Sequence, residues 1–472
     1  MRSDGEFNES SGACIAKEWA AWLIRVSMVT QYIPAGQTHE TENMYLKFAA
    51  PSHSTSFTQH STKMSRKKVI IIGAGITGPT LALTILKNPT LKEAYEPILL
   101  DRQTQDTYAQ GAGVVLSSNA LHPLINLGLK DGLWEISQEV VEMSIYRENR
   151  YLNSMVTPNW NPDIGGGTGL RVIERGALMK LLVDQVCSNG GEVRWGTRVV
   201  DLVAREDGVE VVIEGDASVF GDLAVGADGI WSVARKAIIG EGWKPTFMNS
   251  SGIYGIYTPE EKKESSQGYT VLLDAGGLST WPLPDGKCFW TITAPETAPP
   301  ASKPTVEQTA EYPNAKIITG GYPLSSTLDI LSRLSTTPHP SLPGGVCAEL
   351  CQRSSLIVRA PLYQLVFEQS QIVNATSNIV LAGDAARVML PTSGQGACMG
   401  IEDATVLANS LLNNSSTRDA LAEYANLRVP RSKSIASQAY WSGVVFMADR
   451  WVVRIARDWL VSLLPKGKDA KE

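Results

Sequence analysis

Lys68 to Ile72 is a short apolar, β-branched run that stops at glycine, the pattern of a strand buried on both faces of a parallel sheet. Beyond it Gly78, Leu81, Ala82, Ile85 and Leu86 recur at helical spacing as far as Asn88-Pro89, which predicts a helix ending there. Pro97 to Leu100 predicts a second apolar strand, ending in Asp101. Val193 to Ile213 alternates about an Asp207-Gly208 turn and predicts a β-hairpin. Leu223-Ala224-Val225 runs into Gly226-Ala227-Asp228-Gly229, and strand-like pieces follow from Tyr254 to Trp290, with turns at Gly276-Gly277 and Pro284-Asp285-Gly286. Residues 294 to 345 are rich in Pro, Ser and Thr, and their pattern predicts few elements. Ile379-Val380-Leu381 is another buried strand, and Ala397, Ile401, Ala404, Ala408 and Leu411 form a helical stripe. Trp451 to Leu464 is an amphipathic helix, expected to pack its apolar stripe on the body, with docking to a membrane surface as the alternative.

The first of these elements enclose Gly73-Ala74-Gly75-Ile76-Thr77-Gly78, so the order is strand, glycine loop, helix, strand, acid. That setting gives the glycines a dinucleotide-binding meaning. Gly73 permits the tight turn, Gly75 lets the backbone approach a pyrophosphate, and Gly78 lets the helix pack on the strand. The helix N-terminus favours the phosphates. Asp101 is placed to accept hydrogen bonds from ribose hydroxyls, which suits FAD or NAD over NADP. Gly165 to Gly169 has no strand before it and reads as a loop, so no second dinucleotide domain is expected.

Two later segments, Gly226-Ala227-Asp228-Gly229-Ile230-Trp231-Ser232-Val233-Ala234-Arg235 and 383–404 (GDAARVMLPTSGQGACMGIEDA), complete a set of three. With them the chain from about residue 66 to 465 resembles the class A flavoprotein monooxygenases, the aromatic-hydroxylase-like family. The resemblance implies an α/β fold: a Rossmann-like FAD-binding domain, an inserted β-rich substrate domain and C-terminal helices. The boundaries expected are an extension over 1–63, an FAD domain over 64–240 and 355–420 (with 192–225 partly in a hairpin), a substrate domain over 241–354, and a helical region over 421–472.

The resemblance also implies roles. FAD would be held by Gly73, Gly75, Gly78, Asp101, Gly113, Arg175, Asp228, Asp384, Gly394, Gly396 and Ala397. Asp384 would meet the ribityl chain or its phosphate, and 394–397 would offer N–H groups to the flavin ring. NADPH or NADH would bind transiently, and O2 would supply one oxygen atom to a small organic substrate (aromatic, enol or alkene). Arg387, Pro391 and Tyr257 are the residues placed nearest the chemistry. The chain departs from the family at Arg387, where many relatives carry histidine, and at Tyr257, where numerous fungal relatives carry arginine. Tyr254, Tyr257 and Trp281 either line an apolar pocket or pack on a sheet face. A flavin reductase or halogenase of this fold, or a flavin-binding protein without turnover, are the alternatives. The Trp-x-Trp-x-Ile-Pro segment usual in such halogenases is missing from the sequence.

Composition narrows the rest. At 472 residues the chain can bury a large core, and a net charge of −6 offers no basic field for nucleic acid. Six scattered cysteines form no CxxC pair, and with five histidines, three of them before residue 61, neither a metal site nor a histidine triad is expected. The apolar run Trp19 to Ile33 is broken by Arg25 and preceded by acids, which suits neither a transmembrane span nor a secretory signal. A cytoplasmic enzyme is the expectation.

Overall fold

The computed structural model describes residues 65–109, 111–157, 169–215, 217–376 and 378–464. The expectations for 1–63 and for Gly165 to Thr168 lie outside these residues. A six-stranded sheet carries the nucleotide-type elements, in the order Val373–Asn374, Ile379–Leu381, Leu223–Gly226, Lys67–Ile72, Tyr95–Leu100 and Glu192–Arg194. All neighbours are parallel except the first pair, which is antiparallel. The central strand has Val69, Ile70 and Ile71 wholly buried, as its β-branched run requires. The helix Thr77–Lys87 covers the sheet, and it ends where Asn88 precedes Pro89.

A nine-stranded, mostly antiparallel sheet forms the second unit. Its order is Val306–Glu307, Lys316–Ile318, Ser354–Gln364, Thr246–Tyr257, Cys288–Pro295, Gly277–Pro282, Gln267–Leu272, Glu142–Arg147 and Arg150–Val156. This sheet draws strands from both sides of the 241–354 boundary: 142–156 joins beside Gln267–Leu272, and 354–364 pairs with Thr246–Tyr257. A linear boundary cannot represent a sheet whose edge strands come from another part of the chain. A small sheet (Gly113–Leu116, Leu170–Glu174, Ser137–Val140) lies between the two units.

The hairpin about Asp207-Gly208 forms from Val199–Arg205 and Gly208–Ile213, and Ala217–Gly221 adds a third strand. Residues 192–194 instead close the edge of the six-stranded sheet. The stretch 294–345 holds a helix, Leu324–Ser335, that the reading above did not place. Its buried side chains Thr327, Ile330, Leu331 and Leu334 have helical spacing, diluted by the surrounding Ser and Pro. The long helices Gly396–Asn413 and Thr417–Phe446 then return the chain to the first unit, and Trp451–Ser462 follows. Among the described residues no helix is long and apolar enough to cross a membrane, and no group of His, Cys, Asp and Glu could hold a metal ion.

Candidate functional site

The glycine loop is shaped by its neighbours. Gly73 has φ +108°, and its N–H donates to the Leu100 carbonyl at 2.8 Å. A Cβ on Gly73 would stand 2.4 Å from the Ala227 carbonyl oxygen, and one on Gly78 would stand 2.0 Å from the Gly73 carbonyl oxygen. A Cβ on Gly75 would meet nothing within 4 Å. Packing therefore demands two of these glycines, while the third leaves room for a ligand to reach the backbone. The helix that begins at Thr77 has no side-chain cap and no acid in its first turn, so its free N–H groups remain available to an anion. The Asp101 carboxylate accepts from Ala74 N–H at 2.6 Å and from Gln103 N–H at 2.7 Å, so it straps the loop to the second strand.

The three motifs lock together. A Cβ on Gly383 would lie 2.5 Å from Thr77 Oγ1, and one on Gly400 would lie 2.4 Å from the same oxygen. Thr77, in the first motif, is thus wedged between two glycines of the third. Arg235 closes the second motif onto the third: Nε donates to the Ala385 carbonyl (3.0 Å), Nη2 to that of Asp384 (3.0 Å) and Nη1 to that of Ile230 (2.7 Å). Asp228 Oδ2 accepts from Val233 N–H at 2.6 Å and from Ala234 N–H at 3.3 Å. Burial pushes the Asp228 carboxyl up, opposed by its hydrogen bonds to Ser232 and to these N–H groups. Asp384 is open to solvent on one side yet ringed by protein. That enclosure raises its carboxyl above the usual range, against the pull of Arg387 and Arg175.

Arg387 is 2% exposed and pairs with Asp403, which also accepts from Arg428 Nε at 2.6 Å and from Gly383 N–H at 2.8 Å. Glu402 beside it pairs with Arg428 at 2.7 Å and with Arg431 at 3.0 Å. Burial alone would raise the Glu402 carboxyl, but Arg428 and Arg431 outweigh it and hold it down at about 2. This cluster corrects the placing of Arg387 among the residues nearest the chemistry. Its Nη1 is committed to Asp403 in a buried charge network that positions the Gly383 loop on the Gly396–Asn413 helix, while its Nη2 has no partner among the described residues.

At the other end of the third motif, Pro391–Ser393 forms one 3-10 turn and Gly394 takes φ +64°. The helix Gly396–Asn413 then begins, also without a side-chain cap or an acid in its first turn. Pro391 is exposed at this turn, and Thr392 Oγ1 donates to the Ala439 carbonyl at 2.6 Å. Gln395 Nε2 donates to Ser117 Oγ (3.0 Å), and Asn119 Nδ2 donates to Gln395 Oε1 (3.0 Å) and Glu402 Oε1 (2.6 Å). Ser117 and Asn119 are thus positioning residues at the start of a helix. A Cβ on Gly394 would lie 3.9 Å from Val115, and one on Gly396 would meet nothing within 4 Å.

Val115 belongs to an apolar patch with Met143, Phe289, Tyr254, Ile256 and Trp281. Strand register puts Tyr254, Ile256, Phe289 and Trp281 on one face of the nine-stranded sheet. Tyr257 is on the opposite face, 5% exposed, with its Oη donating to Glu349 Oε2 at 2.7 Å. Its phenol is raised by burial and by Glu349. Tyr257 therefore leaves the candidate catalytic group, because side chains an odd number of residues apart in a strand face opposite ways. Gly113 is also reassigned: a Cβ there would stand 2.4 Å from Phe289 Cγ, so close packing of the two units requires this glycine. Arg175 is exposed, lies against Gly111, and is near enough to Tyr254 and Asp384 to pull both of their pKa values down.

The residues suit FAD. Two uncapped helix N-termini, an open approach at Gly75 and another at Gly396 match a ligand with phosphates at its centre and an anionic ring when reduced. Asp228 Oδ1, Arg387 Nη2 and Ser393 Oγ are buried without a hydrogen-bonding partner among the described residues. The second and third motifs thus keep polar atoms in reserve.

Comparison with known proteins agrees. The family model described as FAD binding domain matches residues 66–261 and 371–439, more than half of the chain. The aurachin C monooxygenase/isomerase of Stigmatella aurantiaca is 27% identical over 391 residues, covering 80% of this chain and 89% of its own. The 3-hydroxybenzoate 6-hydroxylase 1 of Aquipseudomonas alcaligenes is 25% identical over 406 residues, covering 84% and 94%. The structure of Klebsiella pneumoniae HpxO complexed with FAD and uric acid shares the fold, with a TM-score of 0.68 at 20% identity over 86% of this chain and 94% of that one. The chain belongs to the FAD-binding-domain family and, within it, to the class A, aromatic-hydroxylase-like FAD-dependent monooxygenases.

Proposed function

We propose that this monooxygenase takes NADPH or NADH and O2 and hydroxylates or epoxidises an electron-rich small organic molecule, an aromatic, enol or alkene. For hydroxylation the balance is substrate, O2, NAD(P)H and a proton giving hydroxylated product, NAD(P)+ and water. The bound FAD supplies hydride acceptance and activation of dioxygen, chemistry that no side chain here can perform. Gly73, Gly75 and Gly78 with the Thr77–Lys87 helix take its phosphates, and Asp101 its ribose. Asp384 and Asp228 hold its middle, and N–H groups over 394–397 face the edge of the ring that becomes anionic on reduction. Arg175, whose charge reaches both Asp384 and Tyr254, can pair with either a phosphate or the substrate side. The sheet face bearing Tyr254, Ile256 and Trp281 receives substrate and keeps water out.

The observation that carries this reading is the location of the apolar face. It meets the Gly394 turn through Val115, so an apolar face adjoins the N-terminus of the Gly396–Asn413 helix. Relatives named as a 3-hydroxybenzoate 6-hydroxylase and a salicylate hydroxylase accord with an aromatic substrate. The test is a panel of phenols, enols and polyenes offered to the yellow, FAD-loaded protein under 18O2. A true substrate accelerates NAD(P)H oxidation and gains one 18O atom. Protein that cannot be loaded with FAD, or that gives only hydrogen peroxide with every compound, would overturn the proposal.

A further inference from the structure

The helix Trp451–Ser462 is turned opposite to its expected packing. From residue 451 to 463 every exposed residue is apolar: Trp451, Val452, Ile455, Ala456, Trp459 and Leu463. Both tryptophans, Ile455 and Leu463 are each at least 60% exposed. The charged residues face inward. Arg457 is 3% and Asp458 7% exposed; they bond to each other, and Asp458 also pairs with Arg147 at 3.7 Å. Arg454 pairs with Asp274. Asn153, wholly buried in the edge strand, donates to the Val461 and Leu464 carbonyls at 2.8 Å each. An ordinary surface helix buries its apolar stripe and wets its charges. This one is fastened mainly by polar contacts, with Val461 alone of its apolar residues packed on the Ile145, Leu152 and Leu272 cluster, and it offers a dry stripe outward.

We propose that this stripe docks on an anionic lipid surface, lying flat in the headgroup region. Twelve residues of helix span about 18 Å, too short for a hydrocarbon core of about 30 Å but suited to lying in the interface. Trp451 and Trp459 bring the amphipathic rings that settle at headgroup level. Charge is complementary. Besides Arg457 and Asp458, which are buried against each other, residues 450–472 carry five basic side chains (Arg450, Arg454, Lys466, Lys468 and Lys471) against two acidic, in a chain whose net charge is −6. A second copy of the chain is a weaker occupant, since a stripe one helix wide falls short of the roughly 800 Å² per partner that a stable interface buries. The helix is held in place by the bonds above, so docking need not order it first. The proposal is independent of the oxygenation reading, because flavin content and NAD(P)H oxidation are measured separately.

The test uses full-length, FAD-loaded protein sedimented with phosphatidylcholine vesicles, with and without about 30% phosphatidylserine. The wild type is expected to pellet with the anionic vesicles. Trp451→Ser/Ile455→Ser/Trp459→Ser lowers that partition at least about tenfold while keeping its flavin. Lys466→Gln/Lys468→Gln/Lys471→Gln weakens the preference for phosphatidylserine, as does high salt. Brominated lipid quenches tryptophan fluorescence in the wild type and less in Trp459→Ser, a single change that needs no triple variant to fold. Wild type remaining in the supernatant with both vesicles, or the serine variant pelleting equally, overturns the proposal. A dimer that the serine changes dissolve, with no vesicle binding, assigns the face to a second copy and overturns it too.

Discussion

Gly400→Ala isolates the contact that joins the first and third motifs. Gly400 sits inside the Gly396–Asn413 helix, where alanine is intrinsically better by about 1 kcal/mol. Its new methyl would stand 2.4 Å from Thr77 Oγ1. Thr77 is 9% exposed and β-branched, so turning χ1 brings its methyl into the same space. Overpacking of this kind costs about 1–3 kcal/mol, and the stiffness of the threonine puts the cost at the upper end. The net expectation is a loss of about 1–2 kcal/mol. In a Thr77→Ala background the nearest remaining obstacle is the residue-77 Cβ, 3.7 Å away, an ordinary contact. There Gly400→Ala should stabilise by about 1 kcal/mol, giving a coupling of about 2–3 kcal/mol across the cycle. Urea unfolding of the FAD-loaded proteins, followed by flavin fluorescence and circular dichroism, reads the four apparent midpoints. If Gly400→Ala raises the midpoint as much beside Thr77 as beside Ala, the wedge does not exist and the motifs are joined some other way.

Three further outcomes are expected. Arg235→Met strips hydrogen bonds from the Ala385, Asp384 and Ile230 carbonyls, at about 1–3 kcal/mol for each buried acceptor left bare. FAD affinity by fluorescence titration should fall at least about tenfold, and an unchanged affinity would show that the loop holds its shape alone. Tyr257→Phe should cost about 1 kcal/mol of stability by losing the Glu349 bond but leave kcat unchanged, whereas Tyr254→Ala should alter KM; equal effects on turnover would return Tyr257 to the site. Burial lowers the His339 imidazole from 6.5 to about 4, so between those values the unfolded chain binds the proton and the folded one does not. The resulting stabilisation, up to about 3 kcal/mol, is complete above pH 6.5 and disappears as pH falls towards 4. Thermal midpoints of wild type and His339→Gln should diverge over that window, and parallel curves would refute the assignment.

What was legible in the chain were the parts whose chemistry is local. A glycine loop between a strand and a helix has one backbone geometry, so Gly73, Gly75 and Gly78 could be read in order from spacing alone. The partners that lock the motifs together could not. Arg235 reads as one more helical cation until its guanidinium is seen against two carbonyls about 150 residues further on. Asp403 reads as part of a motif ending until Arg387 and Arg428 converge on it. Tyr257 and Tyr254 are three residues apart, and strand alternation separates them onto opposite faces. Sequence carries that parity only once the register of the strand is known. The strands at 142–156 were missed as members of the second unit because pairing across a hundred residues leaves no local trace.

Trp451–Ser462 shows the same limit from another direction. Hydrophobic periodicity reports that a helix has two unlike faces, and it says nothing about which one meets protein. The usual inference supplies that by assuming that water lies on the other side. Here Asn153, Arg147 and Asp274 lie beside the helix and bond to its Val461 and Leu464 carbonyls, to Asp458 and to Arg454. Placing the tryptophans inward would turn Arg457 and Asp458 away from the body and break the Asp458 pair with Arg147 and the Arg457 bonds to the Phe446 and Leu273 carbonyls. The orientation is therefore set by what the body offers, and the apolar stripe faces outward as a consequence. A periodic stripe identifies its partner only when the polar residues on both sides of the contact are counted as well.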